Sequence, residues 1–359
     1  MSPPLGLGQE WVPEAESALV DALLALQAEV QEQLDYRKRP VPRGQHPKPH
    51  GCVRAELIVE PNLPPEYRHG VFAEPWTFPA VVRFSNARQS NDQLPDVHGL
   101  SIKILEVDGP RLLTGNPHAR TQDLVMIDHP VFFARNVADL VPVMIAFRRV
   151  MLGGPITRTA TVLRAGVSFD YRFRILRAMV RKRPDNPLRT RYWTTTPLKF
   201  GPTAAKLSVQ PDLPFNQPVT SPAPEPRHRL RHALAEHLRT REARFDLMVQ
   251  LQTDPRSMPI EDAATAWPED QSPFRKVATL RLPAQSFLSE EQQRFGENLS
   301  FSPWHGLQAH RPLGGINRAR RRIYETLARR RRELNGSQPH EPTAAEVDAI
   351  WARASEPQS

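Results

Sequence analysis

Tyr324 sits among arginines in the run Arg320-Arg-Arg-Ile-Tyr324, which continues to Arg329-Arg-Arg-Arg332. No Gly or Pro falls between Asn317 and Leu334, so the stretch predicts a helix. Arg320 and Tyr324 are four residues apart and share one helix face. A cation at that spacing favours the phenolate over the phenol. A phenolate is a hard anionic ligand for ferric iron, and tyrosine is one of the few side chains that hold haem iron. Arg331 lies two turns further along the same face, where a guanidinium could pair with a carboxylate. The plainer reading of the same residues is a solvated basic helix whose tyrosine packs on a core.

The elements that must position this helix are legible in outline. The chain has 359 residues, enough for a large core in one or two domains. Pro is abundant, at 38 residues, which favours long ordered loops over a helical bundle. With one cysteine, Cys52, no disulfide framework forms within the chain, and a reducing compartment is expected. No secretory signal and no apolar run of about 20 residues is visible, so a soluble, cytoplasmic protein without a membrane span is expected. The net charge of +9 makes nucleic acid or an anionic surface the default partners, with Arg318–Arg332 as the contact helix. No aromatic-interleaved basic motif or zinc-finger spacing supports nucleic acid, however. A buried dianionic cofactor accounts for several of the arginines instead.

Periodicity predicts an amphipathic helix over Glu14–Asp35, with Leu19, Leu23, Leu26 and Val30 near one face. An extended, Pro-broken basic segment follows over Arg37–Lys48. Strands are predicted over Val53–Val59, Ala80–Ser85, Gly99–Val107, Asp123–Met126, Lys206–Val209, Phe245–Leu251 and Lys276–Leu282. Residues 134–190 read as helix-rich, and the chain turns helical again after Pro312. Thr343-Ala-Ala-Glu346 has the pattern of a capping box opening a last short helix in a polar tail. Several strands between helical ends imply an α+β fold built around an antiparallel barrel or sheet.

Four segments then line up in order: Arg43-Gly-Gln-His46-Pro-Lys48; Val82-Arg83-Phe84-Ser85; Asp123 to Phe133, ending Pro130-Val-Phe132-Phe133; and the Arg320–Tyr324–Arg331 helix. Supporting stretches are Asp96-Val-His-Gly99, Arg191-Tyr-Trp193-Thr-Thr-Thr-Pro197 and Phe301-Ser-Pro303-Trp304. Over roughly residues 35–335 the chain resembles the haem catalases, and more closely the short catalase-related haem proteins. The resemblance implies a catalase-like antiparallel β-barrel with surrounding helices and a C-terminal haem-ligating helix. It divides the chain into an N-terminal helix over 1–36, a haem domain over 37–335 and a tail over 336–359 with one short helix. It implies haem b, with Tyr324 as the proximal iron ligand, Arg320 as its activating partner, and Arg43, Arg83 and Arg331 on the propionates. His46 matches the distal acid/base, Ser85 the serine that fixes its tautomer, and Phe132 and Phe133 the aromatics lining the distal side. His50, four residues on, is the rival to His46; Arg43, three residues before His46, favours the latter register.

Two departures stand out. Where the family carries two asparagines before the Pro-Val-Phe-Phe segment, this chain has Ile127 and Asp128; Ile127 cannot donate a hydrogen bond to peroxide. Pro42 stands where the family has a glutamate. No flavodoxin-like domain is expected, and nothing points clearly to a bound nicotinamide nucleotide. The implied activity is peroxidase-type heterolysis of hydrogen peroxide or an organic hydroperoxide, at the expense of a small organic reductant and favoured over catalase turnover. Cleavage and rearrangement of a fatty-acid hydroperoxide, as in the allene oxide synthases on this fold, is the alternative enzymatic reading. Self-association is left open.

Overall fold

The computed structural model describes residues 5–113, 119–168 and 170–355. The outermost residues of the two terminal segments, 1–4 and 356–359, lie outside this description. The described residues form nine strands: β1 (Lys48–Val59), β2 (Thr77–Asn86), β3 (His98–Ile104), β4 (Gln122–Ile127), β5 (Tyr192–Trp193), β6 (Leu198–Phe200), β7 (Thr203–Pro211), β8 (Ala243–Leu251) and β9 (Arg275–Leu282). They pair antiparallel in the order β5-β4-β3-β2-β1-β9-β8-β7, and a β5–β7 pairing closes the ring. The result is an eight-stranded barrel, with β6 added as a hairpin on β7. Closure gives each of the eight strands a partner on both sides, although β4 and β5 meet at the single pair Ile127–Trp193.

The strand predictions differ mainly at their ends. β3 stops at Ile104 rather than running to Val107, because Glu106 adopts a positive φ of 57° that a pleated strand does not accommodate. β5 was not predicted as a strand; two residues are too few to show period-2 alternation, yet they complete the barrel.

Alternation along the strands decides what each face does. Phe84, Leu100 and Met126 are neighbours across β2, β3 and β4, and all point into the apolar barrel core. One residue along, Ser85, Gly99, Ile127 and Trp193 form a second row on the opposite face. Over that outer face lies a helical layer made of α1 (Glu16–Leu34), α2 (Val137–Leu152) and α7 (Gly315–Asn335). Its own core comprises Val20, Leu23, Val137, Leu140, Ile316 and Ile323, with Phe132, Phe133 and Tyr324 packed at its margin. The remaining helices are α3 (Pro155–Val167), α4 (Tyr171–Val180), α5 (Arg229–Leu238), α6 (Glu290–Asn298) and α8 (Ala344–Ser355). None of the described helices is long and apolar enough to cross a membrane.

Helix α8 buries Val347, Ile350 and Trp351 in the main core. Glu341, just before it, is ion-paired at 2.6 Å with the fully buried Lys103, which also holds Asp123 at 2.7 Å. Only half of the predicted capping box forms: Thr343 Oγ1 accepts from the Glu346 N–H at 3.2 Å, but the Glu346 carboxylate pairs with His340. A complete box sits instead at Ser289 and Gln292, opening α6.

Candidate functional site

Helix α7 is pinned at both ends, which fixes where its polar face points. At the N-terminus Arg318 bonds Glu10, Glu16 and Glu261 at 2.6–3.0 Å. Asn317 donates to the Pro197 and Leu313 carbonyls, and its own carbonyl accepts from the Trp304 indole at 2.8 Å. At the other end Asn335 bonds both the N–H and the carbonyl of Val41, at 2.7 and 3.0 Å. Gly336 then ends the helix in the left-handed conformation, φ 63°, that favours glycine. Because Val41 lies five residues before His46, this clasp ties the helix carrying Tyr324 to the loop carrying His46.

His46 occupies the junction of that loop with β1. Its backbone is left-handed, φ 53°, a conformation that costs a non-glycine residue energy and gathers at functional sites. The bend lays the imidazole against the outer barrel face. Nδ1 is 3.2 Å from Ser85 Oγ, and Arg83 Nη2 donates to the His46 carbonyl at 2.9 Å. Gly99 lies directly beneath: a Cβ there would fall 2.5 Å from Nδ1 and 2.6 Å from Cε1. Burial, reinforced by the Arg83 cation, pulls the His46 pKa down to about 4, so the ring is neutral at pH 7. Arg320 on α7 adds to that depression, which places its charge within electrostatic reach of the ring.

His50 points elsewhere. It is buried, with Nε2 at 2.8 Å from Asn86 Oδ1 and burial holding its pKa at about 3. Asp128 also turns away, gripping the His98 ring and backbone N–H at 2.9 and 3.1 Å. Its carboxylate is thus committed to His98, and Ile127 is left beside Gly99 in the outer row.

Arg43, Arg83 and Arg331 converge on one edge of this space. Arg43 donates to the carbonyls of Gly296, Glu297 and Leu299 at 2.5–3.0 Å. Arg331 donates to the Val41 carbonyl at 3.0 Å and ion-pairs with Glu297. Among the described residues these three guanidinium charges thus face a single carboxylate, leaving two positive charges uncompensated. Both Arg43 Nε and Arg83 Nε are buried without a hydrogen-bond partner. Burial and mutual repulsion pull the Arg43 pKa down to about 9 and lower that of Arg83 as well. A bound dianion would relieve all of these strains, so the residues present fit the two carboxylates of a haem.

Tyr324 is half-buried against the helical core, one turn beyond Arg320. Among the described residues the hydrogen bonds of Arg320 go to Thr196 Oγ1 at 3.1 Å and Asn317 Oδ1 at 3.3 Å. Its guanidinium lies 5.4 Å over the Phe132 ring, and Phe132 in turn stacks on Phe133 at 4.2 Å between centroids. Phe132 thereby links α7 to the segment that follows β4. Residues not singled out in the sequence as site residues prove structurally central: Gly99, Glu297, Asn317, Asn335 and Thr196. Only Gly99 left a signal, as a lone glycine opening a strand.

A closed antiparallel barrel with His46 against its outer face and a tyrosine-bearing helix in the layer over it defines the class: this chain has the catalase fold. Superposition on a fungal catalase gives a TM-score of 0.58 at 15% identity, covering 96% of this chain and 70% of that one. A bacterial catalase gives 0.53 at 13%, covering 99% and 67%, and catalase A from Saccharomyces cerevisiae 0.56 at 14%, covering 100% and 76%. No family model and no curated relative matches the sequence.

Proposed function

We propose that this chain is a haem-dependent peroxidase on the catalase fold, with Tyr324 as the proximal iron ligand and His46 as the distal acid/base. The observation that carries the reading is the His46 ring, fixed by Ser85 and seated on Gly99, beside an arginine cluster whose buried Nε atoms lack partners. Ferric haem, when bound, supplies the iron centre at which the peroxide O–O bond is cleaved and two electrons are accepted from a reductant.

His46, unprotonated at pH 7, takes the proton of the peroxide oxygen that approaches it and returns it to the departing oxygen, which leaves as water or an alcohol. Ser85 holds Nδ1, so the opposite nitrogen does the work. Arg320 supplies positive charge near Tyr324 by helix geometry while anchored to Thr196. Arg43, Arg83 and Arg331 hold the propionates, and Phe132 and Phe133 keep the distal side apolar. Catalase turnover needs a second peroxide positioned as a reductant, and Ile127 offers it no donor. Electrons therefore come preferentially from an organic donor. The same apolar substitution is compatible with hydroperoxide isomerisation, which needs no second peroxide.

The test is reconstitution with haemin. Wild type is expected to bind one haem and oxidise a dye with hydrogen peroxide, whereas His46→Ala keeps the haem and loses about 10²–10⁴-fold in its reaction with peroxide. His50→Ala, with its ring bonded to Asn86, loses far less. Equal activity of the wild type and His46→Ala would sink the reading.

A further inference from the structure

The arginine cluster does not end at the proposed propionate edge. A cavity of about 610 Å³ opens from Arg83 and Arg331 to the surface between β1 and α6. Its wall is mixed. Phe287, Leu288 and the neutral Cys52 thiol, whose pKa is pushed by burial up to about 12, give an apolar floor. Arg231 and Arg294 stand in the wall beyond the three arginines assigned to haem. Arg231 donates to the Pro49 carbonyl at 2.9 Å, but its buried Nε has no partner. Arg294 is exposed at the mouth. Arg83, itself only 3% exposed, turns a second partnerless Nε into the same region. Among the described lining residues the one carboxylate is Glu297, already held by Arg331. His46 is not part of this wall, whereas Arg83 and Arg331, which would hold the haem carboxylates, are.

We propose that this cavity binds the reductant, and that the reductant is an aromatic carboxylate: its ring lies on Phe287 and Leu288, and its charge is held by Arg231 and Arg294. Neither guanidinium is in a direct ion pair among the described residues, although Asp92 acts on Arg231 and Arg294 on Glu291 at longer range. Such groups beside an apolar floor select an amphipathic anion over either a neutral phenol or a small inorganic anion. Its role as electron donor rests on the peroxidase reading above. The binding itself does not. In the reaction two donor molecules each give up one electron and one proton, and hydrogen peroxide takes up both pairs to form two waters.

The experiment compares 3-(4-hydroxyphenyl)propanoate with 4-propylphenol, which share the phenol and differ in the carboxylate. Calorimetric titration is run on the haem-loaded and the haem-free protein, for wild type, Arg294→Gln and Arg231→Gln/Arg294→Gln. The expected result is that the carboxylate binds wild type more tightly than the phenol, and that the double variant weakens the carboxylate roughly tenfold or more. The phenol is unmoved, and haem content is unchanged. In turnover, KM for the carboxylate donor rises by a similar factor while kcat holds. Arg294→Gln, an exposed position, gives a partial effect should the double variant fold poorly. Equal binding of the two ligands, or indifference to both variants, overturns the site. Arginine-dependent binding in a protein that takes up no haem would instead overturn the donor role and the peroxidase reading while leaving the site standing.

Discussion

Gly99→Ala isolates the positioning of His46 in a single methyl group. Gly99 is a strand residue without a positive φ, so alanine imposes no backbone strain of its own. The new Cβ would fall 2.5 Å from His46 Nδ1, 2.6 Å from Cε1 and 3.0 Å from Ser85 Oγ. Ordinary contact needs about 3.5 Å, so the ring must retreat by about 1 Å. The Ser85 bond, already 3.2 Å, is then lost, and with it the tautomer that leaves the working nitrogen free. A displacement of about 1 Å in a reacting group costs on the order of 10²-fold in rate, or about 2.7 kcal/mol of barrier. The destabilisation from crowding should be smaller in its consequences, about 1–3 kcal/mol on global unfolding. The assay is stopped-flow mixing of haem-loaded protein with hydrogen peroxide, followed in the Soret region, alongside chemical denaturation. The expected outcome is intact haem uptake, a folded protein and a bimolecular rate reduced about 100-fold. A folded Gly99→Ala protein within twofold of the wild-type rate would show that the ring does not act from this seat.

Tyr324→Phe removes the only oxygen this helix offers to iron at the Arg320 register, and should abolish any tyrosinate-type absorption; an unchanged spectrum would move the ligand to another residue. Ile127→Asn restores a donor in the row beside Gly99 and should raise oxygen evolution from hydrogen peroxide relative to dye oxidation; no change in that ratio would remove Ile127 from the argument. Stability should fall as the pH drops below neutral, through the buried histidines. His310, 2% exposed, accepts the Val71 N–H at Nε2, and burial holds its pKa at about 4. Its folded value lies below the unfolded one near 6.5, so its contribution is complete above about pH 6.5 and is lost between there and pH 4, at most about 3 kcal/mol. His46 and His50 act in the same direction; a stability profile flat from pH 7 to 4.5 would contradict all three.

What the sequence determined by itself was local or ordered. The tyrosine–arginine spacing requires only that residues 317–334 be helical, and the absence of Gly and Pro there secures it. The longer strands announced themselves by β-branched alternation, since one of their faces is packed in the barrel core. The fold class followed from their order. Tertiary structure alone decided three things. Barrel closure depends on the two-residue β5, whose identity as a strand comes from its partners on both sides and not from its own residues. The direction of Asp128 depends on His98, thirty residues away in sequence and reached only through the β3–β4 pairing. The balance of the arginine cluster depends on Glu297, which joins Arg43 and Arg331 from a helix of unremarkable composition. Each is a long-range contact between groups that are ordinary in their own segments. Periodicity and spacing describe what a segment prefers, whereas the charge a cation faces is set by whatever the rest of the fold brings beside it.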